Sequence, residues 1–351
     1  MLNSLEIRNY RNLKQLKIDK LGRVNLIVGK NNTGKSSVLE ALNIYGSKIE
    51  INVINSILDR RQENCLENET SDVSSFYTHI FLKNIFTNQN TDSTIHIGDD
   101  KNFIDISLTG LKVDFEDILL EIKRDNANTI KYSLTKGDYY TLVSGKNYFF
   151  RRQQEEDICQ YVRPDLQDLQ DASRVNWSNI SLNLRKESFL IEGLKLLESS
   201  IEKFDFITVR KLNPVLPLFS KPTVRLKNGN IVNLRSMGDG INRILTIILA
   251  MVNCENGYLL IDEFENGLHY SVQEKLWEII FQLAERLNIQ VFATTHSYDC
   301  IEAFSEVLNS GKHAKESGVM IRLDNYEGNI EATVYEANEI LNTTRLHVDP
   351  R

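Results

Sequence analysis

The segment Gly29-Lys30-Asn31-Asn32-Thr33-Gly34-Lys35-Ser36 has the G-x-x-x-x-G-K-S spacing of a phosphate cradle. Its glycines free backbone N–H groups to surround a β-phosphate, and a helix starting at the loop's end adds the positive end of its dipole. Lys35 is placed to reach β/γ oxygens and the Ser36 hydroxyl to hold Mg²⁺. Asn31, Asn32, Thr33 and Ser37 are the remaining candidate contacts of the cradle. More than two hundred residues later, Leu259-Leu260-Ile261-Asp262-Glu263 is an apolar run ending in two carboxylates. A buried strand there delivers both acids at its C-terminal end, where α/β sheets bind ligands. Asp262 then suits the shell of the Mg²⁺ ion, and Glu263 suits a general base that polarises an attacking water. Thr294-Thr295-His296-Ser297 follows a second apolar run. His296 can donate a hydrogen bond from there to a γ-phosphate or to the water.

A further loop competes for the same kind of ligand. Ser236-Met237-Gly238-Asp239-Gly240 precedes an apolar helix, so its small residues expose N–H groups beside a helix N-terminus. One nucleotide does not need two such loops from one chain. The economical reading is that Ser236, Gly238, Asp239 and Gly240 cap the γ-phosphate held by a second subunit.

These motifs need a scaffold, and the patterning predicts one. Leu2 to Arg8 and Leu13 to Ile18 read as paired strands, and Val24 to Val28 as a strand running into the phosphate loop. Lys35 to Tyr45 reads as a helix with Val38, Leu39, Leu42 and Ile44 on one side. Glu63 to Ser75 reads as a loop, Phe76 to Phe86 as a helix, and Thr94 to about Phe150 as a meander of strands. Ser181 to Phe204 reads as one helix, and Asn228-Gly229 as the turn of a hairpin. From Ser236 the pattern is regular α/β: helix 242–252, strand 258–261, helix 272–287, strand 289–293, helix 298–308, and a closing hairpin over 319–323 and 330–334. The expected fold class is α/β, a mixed central sheet flanked by helices. A core of residues 1–45 and 205–351 is interrupted by a β-rich and helical insertion over 46–204.

Composition narrows the classes. The chain has 351 residues, 41% hydrophobic and 25% charged, ordinary for a soluble protein with a full core. Its longest apolar run, Ile244 to Val252, is too short to span a bilayer, and its first residues lack a signal peptide's apolar core. Cys65, Cys159, Cys254 and Cys300 are scattered without a C-x-x-C pair, which predicts reduced thiols in a cytoplasm. A net charge of -7 argues against a general coating for nucleic acid, although a local basic groove is compatible with it. Asp165, Asp168 and Asp171 read as a solvated face rather than a metal site, and Arg60-Arg61 and Arg151-Arg152 as exposed basic pairs.

The motif series resembles that of ABC-type ATPases: Walker A, signature, Walker B, D-loop and switch histidine, in that order. The opening Leu5-Glu6-Ile7-Arg8-Asn9-Tyr10-Arg11-Asn12 is similar to the first strand of RecF, SMC and OLD ATPases rather than of membrane transporters. Asp262 to His269 and Ser236 to Gly240 resemble most the stand-alone "AAA family" ABC ATPases found beside bacterial anti-phage effectors. The resemblance covers residues 1–45 and about 205–335 well and the middle poorly. It implies ATP with Mg²⁺, hydrolysis in a head-to-head homodimer or higher homo-oligomer with composite sites, and control of a separate effector such as a nuclease or toxin. It also implies a place for Arg11 near the phosphates and for Asn266, Gly267 and His269 in the D-loop. The chain departs from transporters in its signature spelling and in carrying His269 where they carry Asp. Gln89 is the candidate for the Q-loop glutamine. Two alternatives remain open: a RecF-like repair ATPase acting on gapped or single-stranded DNA, and a slow-turnover scaffold that holds an effector inactive while ATP is bound.

Overall fold

The computed structural model describes residues 1–47, 51–63, 82–109, 119–124, 128–133, 140–143, 159–164, 168–209, 219–238, 240–346 and 348–351. In chain order these form β1 (Leu5–Tyr10), β2 (Leu13–Ile18), β3 (Val24–Val28), α1 (Lys35–Gly46), α2 (Ile51–Arg60), β4 (Ile95–Gly98), β5 (Phe103–Thr109), β6 (Leu119–Arg124), β7 (Asn128–Ser133), β8 (Tyr140–Val143) and β9 (Cys159–Val162). There follow α3 (Asp168–Ile180), α4 (Leu184–Leu197), β10 (Ile201–Val209), β11 (Phe219–Leu226), β12 (Ile231–Asn233), α5 (Ile241–Asn253), β13 (Tyr258–Ile261), α6 (Tyr270–Arg286), β14 (Gln290–Thr294), α7 (Tyr298–Asn309), β15 (Gly318–Tyr326), β16 (Asn329–Tyr335) and α8 (Ala337–Arg345).

The central sheet has the order β16-β15-β3-β14-β13-β9, parallel from β15 to β9 with β16 antiparallel at one edge. It is the mixed sheet that the patterning predicts. Its middle strands are apolar on both faces because both faces are covered. Alternation divides them cleanly: Leu26, Leu259, Ile261, Val291 and Ala293 join one core with α5, α6 and α7. Ile27, Leu260 and Phe292 join the other core, with α1 and strands β1, β2, β4 and β5. The second layer on that side is an antiparallel sheet, β2-β1-β4-β5-β6-β7-β8, which joins the expected β1-β2 pair to strands β4 to β8 of the meander expected over 94–150. A third sheet, β10-β11-β12, carries the Asn-Gly hairpin, with Gly229 at φ 85°.

The stretch 46–204 contributes to both large sheets. Strand β4 pairs with β1, and β9 adds in parallel to β13 at the edge of the central sheet. The single helix expected over 181–204 is a correction: α4 ends at Leu197 and β10 begins at Ile201. Ile201 and Phe204 keep a helix-like spacing because a β-bulge lies between Ile201 and Lys203, which returns both side chains to the core. Phe76–Phe86 also differs: Lys83–Ile85 is a 3₁₀ turn, and 76–81 lie outside the described residues, as do most of Glu63–Ser75, Arg151-Arg152, Cys65 and Asp165. Asp168 and Asp171 lie in α3. Among the described residues, no helix is long and apolar enough to cross a membrane.

Candidate functional site

Three neighbouring parallel strands, β3, β14 and β13, end at one edge of the central sheet. They deliver in turn the phosphate loop, His296 and the Asp262-Glu263 pair. A cavity of about 610 Å³ opens there. Its wall includes Asn31, Asn32, Thr33, Gly34, Lys35, Ser36, Ser37, Asp262, Glu263, Thr294 and His296.

The loop's shape depends on its glycines. Gly29 sits at φ 147°, and a Cβ there would lie 2.5 Å from the Leu323 carbonyl oxygen. Gly34 caps α1 at φ 88°, where a Cβ would meet Leu13 at 2.9 Å. The Lys35 ammonium donates to the carbonyls of Gly29 (2.7 Å) and Lys30 (2.9 Å), so its charge is held inside the loop. Burial pushes the Lys35 ammonium below its ordinary value, and the carboxylates of Asp262, Glu265 and Glu263 work against that fall.

Asp262 is gripped from three sides. Its Oδ1 accepts from Thr294 Oγ1 (2.6 Å) and from Ser36 Oγ (3.4 Å), and its Oδ2 accepts from the Tyr161 hydroxyl (3.0 Å). Glu263 has φ 48°, a left-handed backbone unusual outside glycine, and its N–H donates to Thr294 Oγ1 at 2.9 Å. The pair Ser36 and Asp262 offers hard oxygen donors only, which suits Mg²⁺. Among the described residues there is no group of three or more His, Cys, Asp or Glu that could hold a metal.

His296 is about half exposed, and its loop is fixed from below by Glu265. Glu265 accepts from the His296 N–H (3.0 Å) and from Thr295 Oγ1 (2.7 Å), and lies 3.3 Å from His296 Nδ1. The His296 carbonyl accepts from Arg351.

Two residues of this network, Tyr161 and Arg243, lie outside the motifs, and two more, Glu265 and Thr294, lie within them without a role of their own in that reading. Arg243 is 1% exposed, although it lies in the most apolar of the described helices. Its guanidinium donates to the carbonyls of Asp262 (2.7 Å), Glu263 (3.3 Å) and Arg163. Burial pushes it down to about 10, against the pull of Asp262, Glu263 and Glu265, so it stays charged at neutral pH. The signal was available: Arg243 is the one charge in Ile241–Asn253, and a buried charge needs partners.

Arg11 lines the cavity, yet carboxylates already occupy it. Glu63 accepts two of its hydrogen bonds (2.8 and 3.0 Å), and Glu40 lies 2.9 Å from its Nε. Arg61, 2.8 Å from the other Glu40 oxygen, lines the same wall. Gln89 is in that wall too, with φ 55° and its side-chain amide on Asn84 Oδ1 at 3.0 Å. The turn expected to act as the signature is elsewhere: Ser236, Gly238 and Gly240 are absent from the cavity wall. Ser236 is exposed and donates only to the Asn233 carbonyl (2.7 Å) among the bonds described, and Asp239 lies outside the described residues. Gly267 and Leu268 of the D-loop pack against Gly240, where a Cβ would lie 3.3 Å from the Gly267 oxygen and 3.2 Å from the Leu268 side chain. Asn266 donates to the Pro164 carbonyl at 3.0 Å. His269 takes a structural role, capping α6 with its ring nitrogen 2.8 Å from Ser271 Oγ.

A family profile described as "AAA ATPase domain" matches the chain over residues 1–213 and 47–301. The chain belongs to that family. Its activity is that of an ATPase. A Helicobacter pylori protein named "ATP/GTP phosphatase" is 24% identical over 375 residues, covering 96% of each chain. The DNA replication and repair protein RecF of Clostridioides difficile is 46% identical over 41 residues, 12% of this chain and 11% of its own. Among solved structures, the SMC head domain from Thermotoga maritima aligns with a TM-score of 0.45 at 10% identity, covering 95% of this chain and 99% of that one. An Smc head domain derived from Pyrococcus furiosus, bound to the C-terminal domain of ScpA, gives 0.47 at 10% identity over 99% of each.

Proposed function

We propose that this AAA ATPase domain protein binds ATP in the cavity and hydrolyses it only when a second copy supplies the signature turn. Lys35 contacts the β- and γ-phosphates, with the loop amides and Asn31, Asn32, Thr33, Gly34 and Ser37 around them. Ser36 and Asp262 would hold Mg²⁺, which when bound neutralises charge on the phosphate oxygens. Glu263 accepts the proton of the attacking water, and His296, steadied by Glu265, donates to the γ-phosphate. Ser236, Gly238, Asp239 and Gly240 close the partner's site. Asn266 and Gly267 carry contact between the two.

One observation supports the composite site above others: Ser236, Gly238 and Gly240 are absent from the wall of the phosphate cavity, and Ser236 and Gly238 stand exposed on the same chain. The test is the mass of Glu263→Gln by light scattering. With ATP and Mg²⁺ it should double, and without nucleotide it should return to that of one copy. A single-copy mass at saturating ATP sinks the composite site.

In this reading the biological role is control of a separate effector in anti-phage defence, with the stretch 46–204 carrying partner specificity in a cytoplasmic complex. The motif spelling at 236–240 and 262–269 supports it, and co-purification of a nuclease or toxin with the Glu263→Gln protein tests it. The local match to RecF favours a second reading, a repair ATPase. Turnover stimulated severalfold by gapped or single-stranded DNA would select that reading.

A further inference from the structure

Residues 161–164, within the 46–204 stretch, touch three parts of the site. The Tyr161 hydroxyl donates to Asp262 Oδ2 at 3.0 Å. Two residues on, the Arg163 carbonyl accepts from Arg243 of the helix that follows the signature turn. The Pro164 carbonyl then accepts from Asn266 of the D-loop at 3.0 Å. Strand β9 fixes this order, since Tyr161 lies in register with Leu260 and Val162 with Ile261. Beyond them the Asp262 N–H donates to the Val162 carbonyl at 3.0 Å, extending the ladder past the strand's end.

We propose that Tyr161 is a positioning residue for Asp262, and that the segment Tyr161–Pro164 ties the metal-facing carboxylate to the signature helix and the D-loop. A carboxylate at a strand end can rotate. Thr294 and Ser36 take one oxygen of Asp262, and Tyr161 takes the other, so the hydroxyl fixes which oxygen faces the phosphate loop. The ring is itself anchored, with the Arg60 guanidinium 4.7 Å from its centroid. Arg60 lies in α2, so two distant parts of the 46–204 stretch meet at this ring. The inference rests on the assignment of the cavity to ATP and Mg²⁺.

The experiment is calorimetric titration of Tyr161→Phe with ATP, with and without Mg²⁺, beside wild type and Lys35→Ala. Phe keeps the ring, its strand and its contact with Arg60, and removes one hydroxyl. ATP affinity without metal should match wild type. The factor by which Mg²⁺ tightens binding should fall three- to tenfold, and kcat should fall about tenfold with KM nearly unchanged, the loss of one hydrogen bond to a charged group. An unchanged Mg²⁺ factor overturns the proposal, whatever happens to kcat. If wild-type binding itself ignores both Mg²⁺ and Lys35→Ala, the cavity assignment falls and the proposal falls with it.

Discussion

One chain carries two loops suited to phosphate, and they are built differently. The loop at 29–36 is walled in. Its lysine is bonded to its own carbonyls, and its two glycines stand where a Cβ would strike Leu323 or Leu13. The other turn is open at Ser236 and Gly238. Ser236 is exposed, and a Cβ on Gly238 would meet nothing within 4 Å. A walled loop is preorganised and binds its ligand alone. An open one has donors on display and waits for a surface to complete it. Under the proposed function this contrast would divide the work, with affinity set within one copy and turnover requiring two.

The largest effect should come from the carboxylate at the closed end. Glu263→Gln keeps the shape of the strained residue and removes the base, so turnover should fall by roughly 10²–10⁴ while ATP still binds. Wild-type turnover in this variant would move the base to His296. Lys35→Ala comes next. It removes a cation that the loop holds at 2.7 and 2.9 Å from two carbonyls, and ATP affinity should fall roughly 10²-fold, the scale of one charged contact. Calorimetry showing unchanged affinity would end the assignment of the walled loop.

The open turn should fail differently. Ser236→Arg adds bulk and charge where the partner's γ-phosphate would sit, so turnover should drop about tenfold or more with single-copy ATP affinity intact. A mixed dimer with Lys35→Ala keeps one site whole, so an equimolar mixture should regain roughly a quarter of wild-type turnover if pairing is random. If mixed dimers form and stay inactive, either the loops do not meet across copies or the two sites fire only together.

Much of the walled loop was legible from sequence, because its chemistry is local. Strand β3, eight loop residues and the first turn of α1 are contiguous, and β13 and β14 are short apolar runs bounded by polar motifs. The rest depends on what the chain brings back from a distance. Tyr161 reaches Asp262 across 101 positions, in a four-residue strand with no periodic signal. Glu265 was visible in the spelling of the motif, but its grip on His296 exists only because β14 returns beside β13. Strand β10 was read as helix because a bulge gives Ile201 and Phe204 a spacing of three, which is the helix's own signature. Local steric rules write themselves into sequence, whereas pairing partners do not.

The smallest effect separates the two loops by one methyl group each. Gly29 and Gly238 both have left-handed backbones, at φ 147° and 135°, so alanine is strained at either, by about 1–3 kcal/mol. At Gly238 the strain acts alone, in an exposed turn that can yield. At Gly29 the new Cβ also lies 2.5 Å from the Leu323 oxygen and 2.8 Å from Thr33 Oγ1, and relief requires moving β15 or the loop itself. Gly238→Ala should therefore lower the melting temperature by only about 2 °C and leave ATP binding unchanged. Gly29→Ala should cost several times more and weaken ATP binding as well. Scanning calorimetry with and without ATP reads both quantities. Equal losses at the two positions would mean that the turn at 236–240 is as confined as the loop at 29–36, and the division of work between them would have to be abandoned.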